Sequence, residues 1–300
     1  MTAPRVAAVV VSYNTRDDLL RCLASLRDHV TMPMETVVVD NASADGSAEA
    51  VRREFPGARL VESAENEGFS RANNRGIRES SAPYILVLNS DAEVRPRAVE
   101  TLTALLDERP DVGVAGPRTL GSDGTAQVSF GPALTLLAEV RQRRLVRGVR
   151  EGRPAALRAV EATSLRAHEP AWVSASCFLA RRSALDAVGG FDEGFFLYEE
   201  DVDLCVRVRR AGWRVVFTPQ AEVVHHLGRS MDQTPARARI EYHRSHVRYY
   251  RKHNGPIQAG LLRLVIGLSS VARWLRAVGP GGQADRAEAV AALRVALSGR

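Results

Sequence analysis

The sequence predicts an α/β protein whose mostly parallel sheet is flanked by helices and followed by a C-terminal helical extension. Three observations point there. Short β-branched runs, "RVAAVVVSYN", "ETVVVDNASADGS" and "YILVLNSDAEV", end in polar residues, as buried parallel strands do where their carboxyl ends reach a site. Helical apolar spacing separates these runs, and such alternation calls for a parallel sheet with right-handed crossovers. From Ile240 onward the chain reads as helical and basic.

The first strand runs from Val6 to Val11 and ends near Ser12. From Asp17 a helix follows, with Leu19, Leu20, Leu23 and Leu26 on one face. Val37 to Val39 form the second strand, Asp40 and Asn41 stand at its end, and Ser43 to Ser47 supply turn and cap chemistry before a helix through Val51. "ARLVES" is a third strand, "NEGFSRANNRGI" a loop opening a helix, and "YILVLNSDAEV" a fourth strand. Ligands of open sheets bind outside the carboxyl ends of the strands, and Ser12, Asn14, Asp40, Asn41 and Asp91 all fall at such ends. Singly, each also suits a loop start that satisfies backbone groups; together on one edge they favour binding.

Residues 128–170 break the rhythm. Their arginine-dense part, "RQRRLVRGVREGRPAALR" (141–158), reads as an insertion, mobile until partnered, over the acceptor side of a site, or else as a solvated charged face. "AWVSASCFLARRSAL" returns to a strand and a helix, and "EEDVDLCVRVRR" begins a helix near Glu200. Carboxylates suit its first turn because the helix N-terminus is partially positive, and Asp203 with Arg207 makes an i,i+4 pair. In the tail, Leu261, Val265, Leu268, Ala272 and Leu275 form a stripe within Leu261 to Val278. Packing on the protein body explains such a stripe, and peripheral contact with a membrane is the second reading, given the arginines and Trp274. Those arginines make the segment a poor transmembrane span.

Composition narrows the class. With 45% hydrophobic and 25% charged residues among 300, the chain buries a sizeable core, which excludes disordered and collagen-like proteins. The net charge of +6 comes almost wholly from arginine, Lys252 being the only lysine. It favours phosphates, nucleic acid or anionic lipid; no recognition module or basic-aromatic sheet pattern supports a nucleic-acid partner. Cys22, Cys177 and Cys205 are odd in number and lack C-x-x-C spacing, so neither a disulfide framework nor a zinc site is expected. No charged leader precedes a long apolar run at the N-terminus, and the expected location is cytoplasmic, or peripheral on the inner face of the membrane.

Taken in order, "VVSYN", "VVVDNASADGS", "NEGFSRANNRGI", "LNSDAEV" and "GGFDEGFFLYEEDVDLCVRVRRAGW" resemble the family 2 glycosyltransferases of the GT-A (Rossmann-like) fold, and among them bacterial rhamnosyltransferase-like proteins. The resemblance implies a GT-A domain over residues 1–235. Its halves are a nucleotide-sugar-binding part (1–120) and an acceptor and catalytic part (121–235), with a helical extension over 236–300. It also implies an inverting transfer from a nucleotide-sugar donor, dTDP- or UDP-linked and in these relatives often dTDP-rhamnose, to a glycan or lipid-linked acceptor of the cell envelope. On that resemblance Ser12, Asn14 and Asp40 hold the nucleoside, with Asn41 as a helper, and Asn66 and Arg71 touch nucleotide or sugar. Where the family carries a "DXD" motif the chain has Asn89-Ser90-Asp91, which leaves Asp91 as ligand to Mg²⁺ or Mn²⁺ and Asn89 as a hydrogen-bonding amide. His225 is the second expected ligand, chosen over His226 because it directly follows an apolar run. The family's "ED" pair falls on Glu200 and Asp201, with Asp201 as base and Glu200 placing hydroxyls; mutual repulsion of these carboxylates is expected to raise their pKa values. A sugar-phosphate nucleotidyltransferase is the competing enzyme reading, but "SYNTRDD" is not its Gly-rich, basic loop. A non-catalytic nucleotide-sugar binder is the competing non-enzyme reading.

Overall fold

A computed structural model describes residues 3–226, 235–277 and 282–298. The first half alternates strand and helix: β1 (Val6–Ser12), α1 (Arg16–His29), β2 (Met34–Asp40), α2 (Ser47–Glu54), β3 (Arg59–Glu62), α3 (Phe69–Arg78) and β4 (Tyr84–Asn89). The predicted fourth strand is in fact two, because the chain turns at Ser90-Asp91 into β5 (Ala92–Val94). Then come α4 (Ala98–Glu108), β6 (Val112–Leu120), β7 (Phe130–Gly131), α5 (Leu136–Arg150), α6 (Pro154–Ser164), β8 (Trp172–Val173), β9 (Cys177–Arg181), α7 (Arg182–Val188), α8 (Glu200–Arg210) and β10 (Arg214–His225). Three helices follow: α9 (Pro235–His253), α10 (Gly255–Arg276) and α11 (Gln283–Ser298).

Eight strands make one sheet in the order β3-β2-β1-β4-β9-β6-β10-β5. The β3-β2-β1-β4 half is parallel, as is β6 with β10, while β9 runs antiparallel between β4 and β6 and β5 antiparallel against β10. Strand β1 is apolar throughout because both of its faces are covered. Val6, Ala8 and Val10 meet Leu19, Leu23 and Leu26 of α1 and Leu102 and Leu106 of α4. Ala7 and Val9 face the other layer, which holds Ile77 of α3 and Leu204 and Val208 of α8.

Two expectations are corrected here. Residues 136–164 are not a loose insertion but a pair of helices; Arg118 on β6 donates to Glu161 on α6 (2.5 Å), which pins the pair to the sheet. The stripe Leu261, Val265, Leu268 and Leu275 does not pack on the body, since these side chains are between 47% and 63% exposed. Helix α10 instead buries Ala259, Leu262 and Ile266 in a third cluster with Phe195, Val202, Tyr250 and Val295. Val278, the end of the predicted segment, lies outside the described residues.

Candidate active site

The carboxyl ends of β1, β2 and β4 carry most of the residues singled out in the sequence. Ser12 is fully buried, its hydroxyl 3.0 Å from that of Thr15, which lies 2.8 Å from the hydroxyl of Ser90. Asn14, in a left-handed conformation (φ 52°), accepts from the Ala44 N–H at 2.7 Å and so braces the loop after β2. Asp40 accepts from the Ser43 N–H at 3.1 Å through Oδ2, while its buried Oδ1 has no partner among the described residues. Asn41 donates to Asn66 Oδ1 (2.9 Å) and accepts from the Glu67 N–H (2.9 Å), tying the β2 end to the loop before α3. At Gly68 (φ 82°) a Cβ would lie 2.6 Å from the Phe196 carbonyl oxygen, and the Phe69 N–H donates to that carbonyl at 2.7 Å. Arg71 is not brought to these strand ends; its Nε donates to Glu193 at 3.2 Å.

Across β4 and β10 three expected residues meet. His225 Nε2 lies 3.2 Å from Asp91 Oδ1 and 3.4 Å from Asn89 Nδ2. His226 turns the other way, 2.7 Å from Glu93. The Asp91 and His225 side chains are 6% and 11% exposed, and Asn89 Oδ1 is buried without a hydrogen-bond partner among the described residues. A buried carbonyl oxygen left unpaired beside a carboxylate and an imidazole is a donor set that fits Mg²⁺ or Mn²⁺. Among the described residues no three His, Cys, Asp or Glu side chains cluster around one point, so the set suits an ion that retains waters and takes phosphate oxygens.

Glu200 and Asp201 open α8, as its polar start predicts, and Asp203 is paired with Arg207 at 2.7 Å. Asp201 Oδ2 accepts from the Ala175 N–H (3.0 Å) and Oδ1 from the Val202 N–H (2.8 Å). One residue further on, the Ser176 carbonyl accepts from the Asn89 N–H at 3.0 Å, so a single short segment joins the two carboxylate-bearing stations. Burial raises the Asp201 carboxyl to about 6, against the lowering pull of those two N–H groups and with a smaller push from Glu199. Glu200 is raised well above the ordinary range, again first by burial and then by Asp201. Repulsion between the carboxylates, the expected cause, is therefore secondary to desolvation.

Asp201 lines a cavity of about 780 Å³ with Trp172, Ser174, Tyr198, Tyr242 and the α5 arginines Arg143, Arg147 and Arg150. Glu199 also lines it, and its carboxylate is not spent on the helix start as the sequence suggests. Instead it lies 2.8 Å from Nδ1 of His246 on α9, whose Nε2 is 2.8 Å from Glu139 on α5. Tyr250 donates to the same Glu139 at 2.7 Å. This buried assembly escapes sequence reasoning because its members are up to 111 positions apart and nothing in the local spacing links them. Burial alone would lower the His246 pKa; the two carboxylates more than reverse that, raising it to about 9.

Comparisons with known proteins bear on this arrangement. The family model described as glycosyl transferase family 2 matches residues 7–189, and one described as glycosyl transferase family group 2 matches residues 155–251. An N-acetylglucosaminyl-diphospho-decaprenol L-rhamnosyltransferase of Mycobacterium tuberculosis is 33% identical over 260 residues, covering 79% of this chain and 81% of its own. The O-antigen biosynthesis protein RfbC of Myxococcus xanthus is 30% identical over 74% of this chain and 17% of its own length. Among solved structures, a mannosyltransferase from Pyrobaculum calidifontis in complex with GDP-Man and Mn²⁺ superimposes with a TM-score of 0.61 at 19% identity, covering 99% of this chain and 88% of its own. Residues 1–349 of TarS from S. aureus give a TM-score of 0.55 at 14% identity, covering 98% and 90%.

Proposed function

This chain belongs to glycosyltransferase family 2 and has the GT-A fold, and on that premise we propose that it is an inverting rhamnosyltransferase acting on a lipid-linked glycan of the cell envelope. The observation that carries the reading is the joining of Asn89, Asp91 and His225 to Asp201 through the segment 174–176. The choice of sugar and acceptor is supported by the mycobacterial relative, whose name specifies L-rhamnose and a diphospho-decaprenol glycan. The donor is then a dTDP- or UDP-sugar, with dTDP-rhamnose the first to test, taken from the cytoplasm to an acceptor at the inner face of the membrane.

In this reading Asp40 holds the nucleoside through its free Oδ1, and Ser12, Asn14, Asn41 and Asn66 hold the loops around it in shape. Arg71, whose Nε donates to Glu193, steadies the loop leading to the base. Asp91 and His225 hold a divalent metal, with Mn²⁺ suited by the imidazole and Mg²⁺ by the carboxylate; when bound it neutralises charge on the departing diphosphate. Asp201, facing the cavity, takes the acceptor hydroxyl's proton as that oxygen bonds to the anomeric carbon and the bond to the diphosphate breaks on the opposite face. Glu200, whose carboxyl burial pushes up, places sugar hydroxyls.

The test is a screen of nucleotide sugars with a short-chain prenyl-diphosphate N-acetylglucosamine acceptor, the product identified by nuclear magnetic resonance. The expected product is a rhamnoside of inverted anomeric configuration, formed only with Mg²⁺ or Mn²⁺. Transfer of another sugar sinks the donor assignment, and retention of configuration sinks the role of Asp201.

A further inference from the structure

Helix α10 is apolar on two faces. The inner one, with Leu262 and Ile266, is buried against α9 and α11. On the outer one Ile257, Leu261, Leu264, Val265, Leu268 and Leu275 are between 47% and 78% exposed. At 1.5 Å per residue the strip from Ile257 to Leu275 runs over roughly 27 Å of the 22-residue helix. Soluble monomers rarely leave so continuous an apolar surface bare.

We infer that the outer face of α10 seats in the headgroup region of an anionic membrane, with the helix lying in the plane of the bilayer. By length and composition α10 could cross a membrane, but its inner face packs with α9 and α11, which favours a helix lying in the bilayer plane. The choice of occupant rests on charge. Helix α10 contains no Asp or Glu, and its cations are Arg263, Arg273 and Arg276. Arg263 is directed to the backbone carbonyls of Ala296 and Leu297, and Arg273 to Glu288. Arg276 has no ion pair among the described residues and stands beside Trp274, which is 42% exposed. An apolar strip ending in arginine and tryptophan, without carboxylates, is complementary to anionic lipid headgroups. The inference also rests on the reading of a membrane-borne acceptor, which such a contact would bring within reach of the Asp201 cavity.

The test uses the full chain and sucrose-loaded vesicles of phosphatidylglycerol with phosphatidylethanolamine, against vesicles of phosphatidylcholine alone. The protein should sediment with the first far more than with the second. The double variant Leu264→Glu and Leu268→Glu should bind the anionic vesicles at least about tenfold more weakly, since two leucines leave the lipid. Its unfolding midpoint and its transfer to a soluble short-chain acceptor should match the wild type, and the milder Leu264→Ser and Leu268→Ser pair should fall between. The inference is overturned if the wild type stays in the supernatant with both vesicle types, or if the glutamate variant sediments as well as the wild type. It is equally overturned if the wild type is a dimer that ignores vesicles and the variant splits it, for then a second copy covers the face. Vesicle binding is scored without substrate, so a protein that binds anionic vesicles yet ignores a lipid-linked acceptor supports this surface and counts against the acceptor reading alone.

Discussion

At the scale of single residues, Asp201 and Glu200 are neighbours in sequence whose carboxyls burial raises to different extents. Asp201 is raised to about 6 by burial but held by two backbone N–H groups, which suits the proposed role of base near neutral pH. Asp201→Asn should lower kcat by about 10² to 10⁴ while leaving donor affinity nearly unchanged. In the wild type, kcat should fall as pH drops below about 6, where the base becomes protonated. Burial raises Glu200 well above the carboxylate range, which favours its protonated form, so Glu200→Gln should keep most of the activity that Glu200→Ala loses. His246 faces Glu199 and Glu139, with Tyr242, Tyr250 and Arg143 around them. Its raised pKa means that its contribution to stability is fully present below about 6.5 and is lost as pH rises through about 9. The wild-type urea midpoint should therefore decline between pH 7 and 9.5, by an amount on the order of 3 kcal/mol in stability, and His246→Gln should flatten that decline.

At the scale of elements, the segment before α8 is held by α9. Tyr198 and Glu199 both adopt left-handed conformations (φ 70° and 64°), which cost about 1–3 kcal/mol each outside glycine. Ser245 donates to the Leu197 carbonyl at 2.7 Å and His246 grips Glu199, so two consecutive α9 residues hold this turn. Further along, fully buried Asp203 receives Arg207 and His253 at 2.7 Å and Lys252 at 2.6 Å. Asp203→Ala would remove the buried carboxylate that receives Arg207, Lys252 and His253, and a loss of about 3–5 kcal/mol in unfolding free energy is expected by chemical denaturation. Because Asp203 joins α8 to α9 and does not line the cavity, any residual folded protein should retain its KM for the donor.

At the scale of the whole molecule, the Asn89–Asp91–His225 cluster and Asp201 are bridged by the approach to β9, residues 174–176. Removal of divalent metal with EDTA should abolish transfer. Nucleoside diphosphate together with Mn²⁺ at about 100 times its Kd should stabilise the fold by ~2.7 kcal/mol, read as a rise in the thermal midpoint. His225→Ala should shrink that rise and increase the metal concentration needed for half-maximal rate. If His225→Ala responds to Mn²⁺ as the wild type does, the imidazole is not a ligand.

Much of this was legible in the chain because it is local. The alternation of β-branched runs with helical spacing, the polar residues at the ends of β1, β2 and β4, and the i,i+4 pairing of Asp203 with Arg207 all follow from periodicities that the backbone imposes on neighbouring residues. Which polar groups meet is another matter. The approach of His225 to Asp91, the bracket of Glu139 and Glu199 around His246, and the tie of Arg118 to Glu161 depend on contacts between segments far apart in sequence. The tail makes the division plain. Its apolar stripe is readable from spacing alone, but a helix with apolar residues on both sides can bury only the side that faces the core, and only the packing of α9, α10 and α11 decided that Leu262 and Ile266 turn inward while Leu261 and Leu268 remain at the surface.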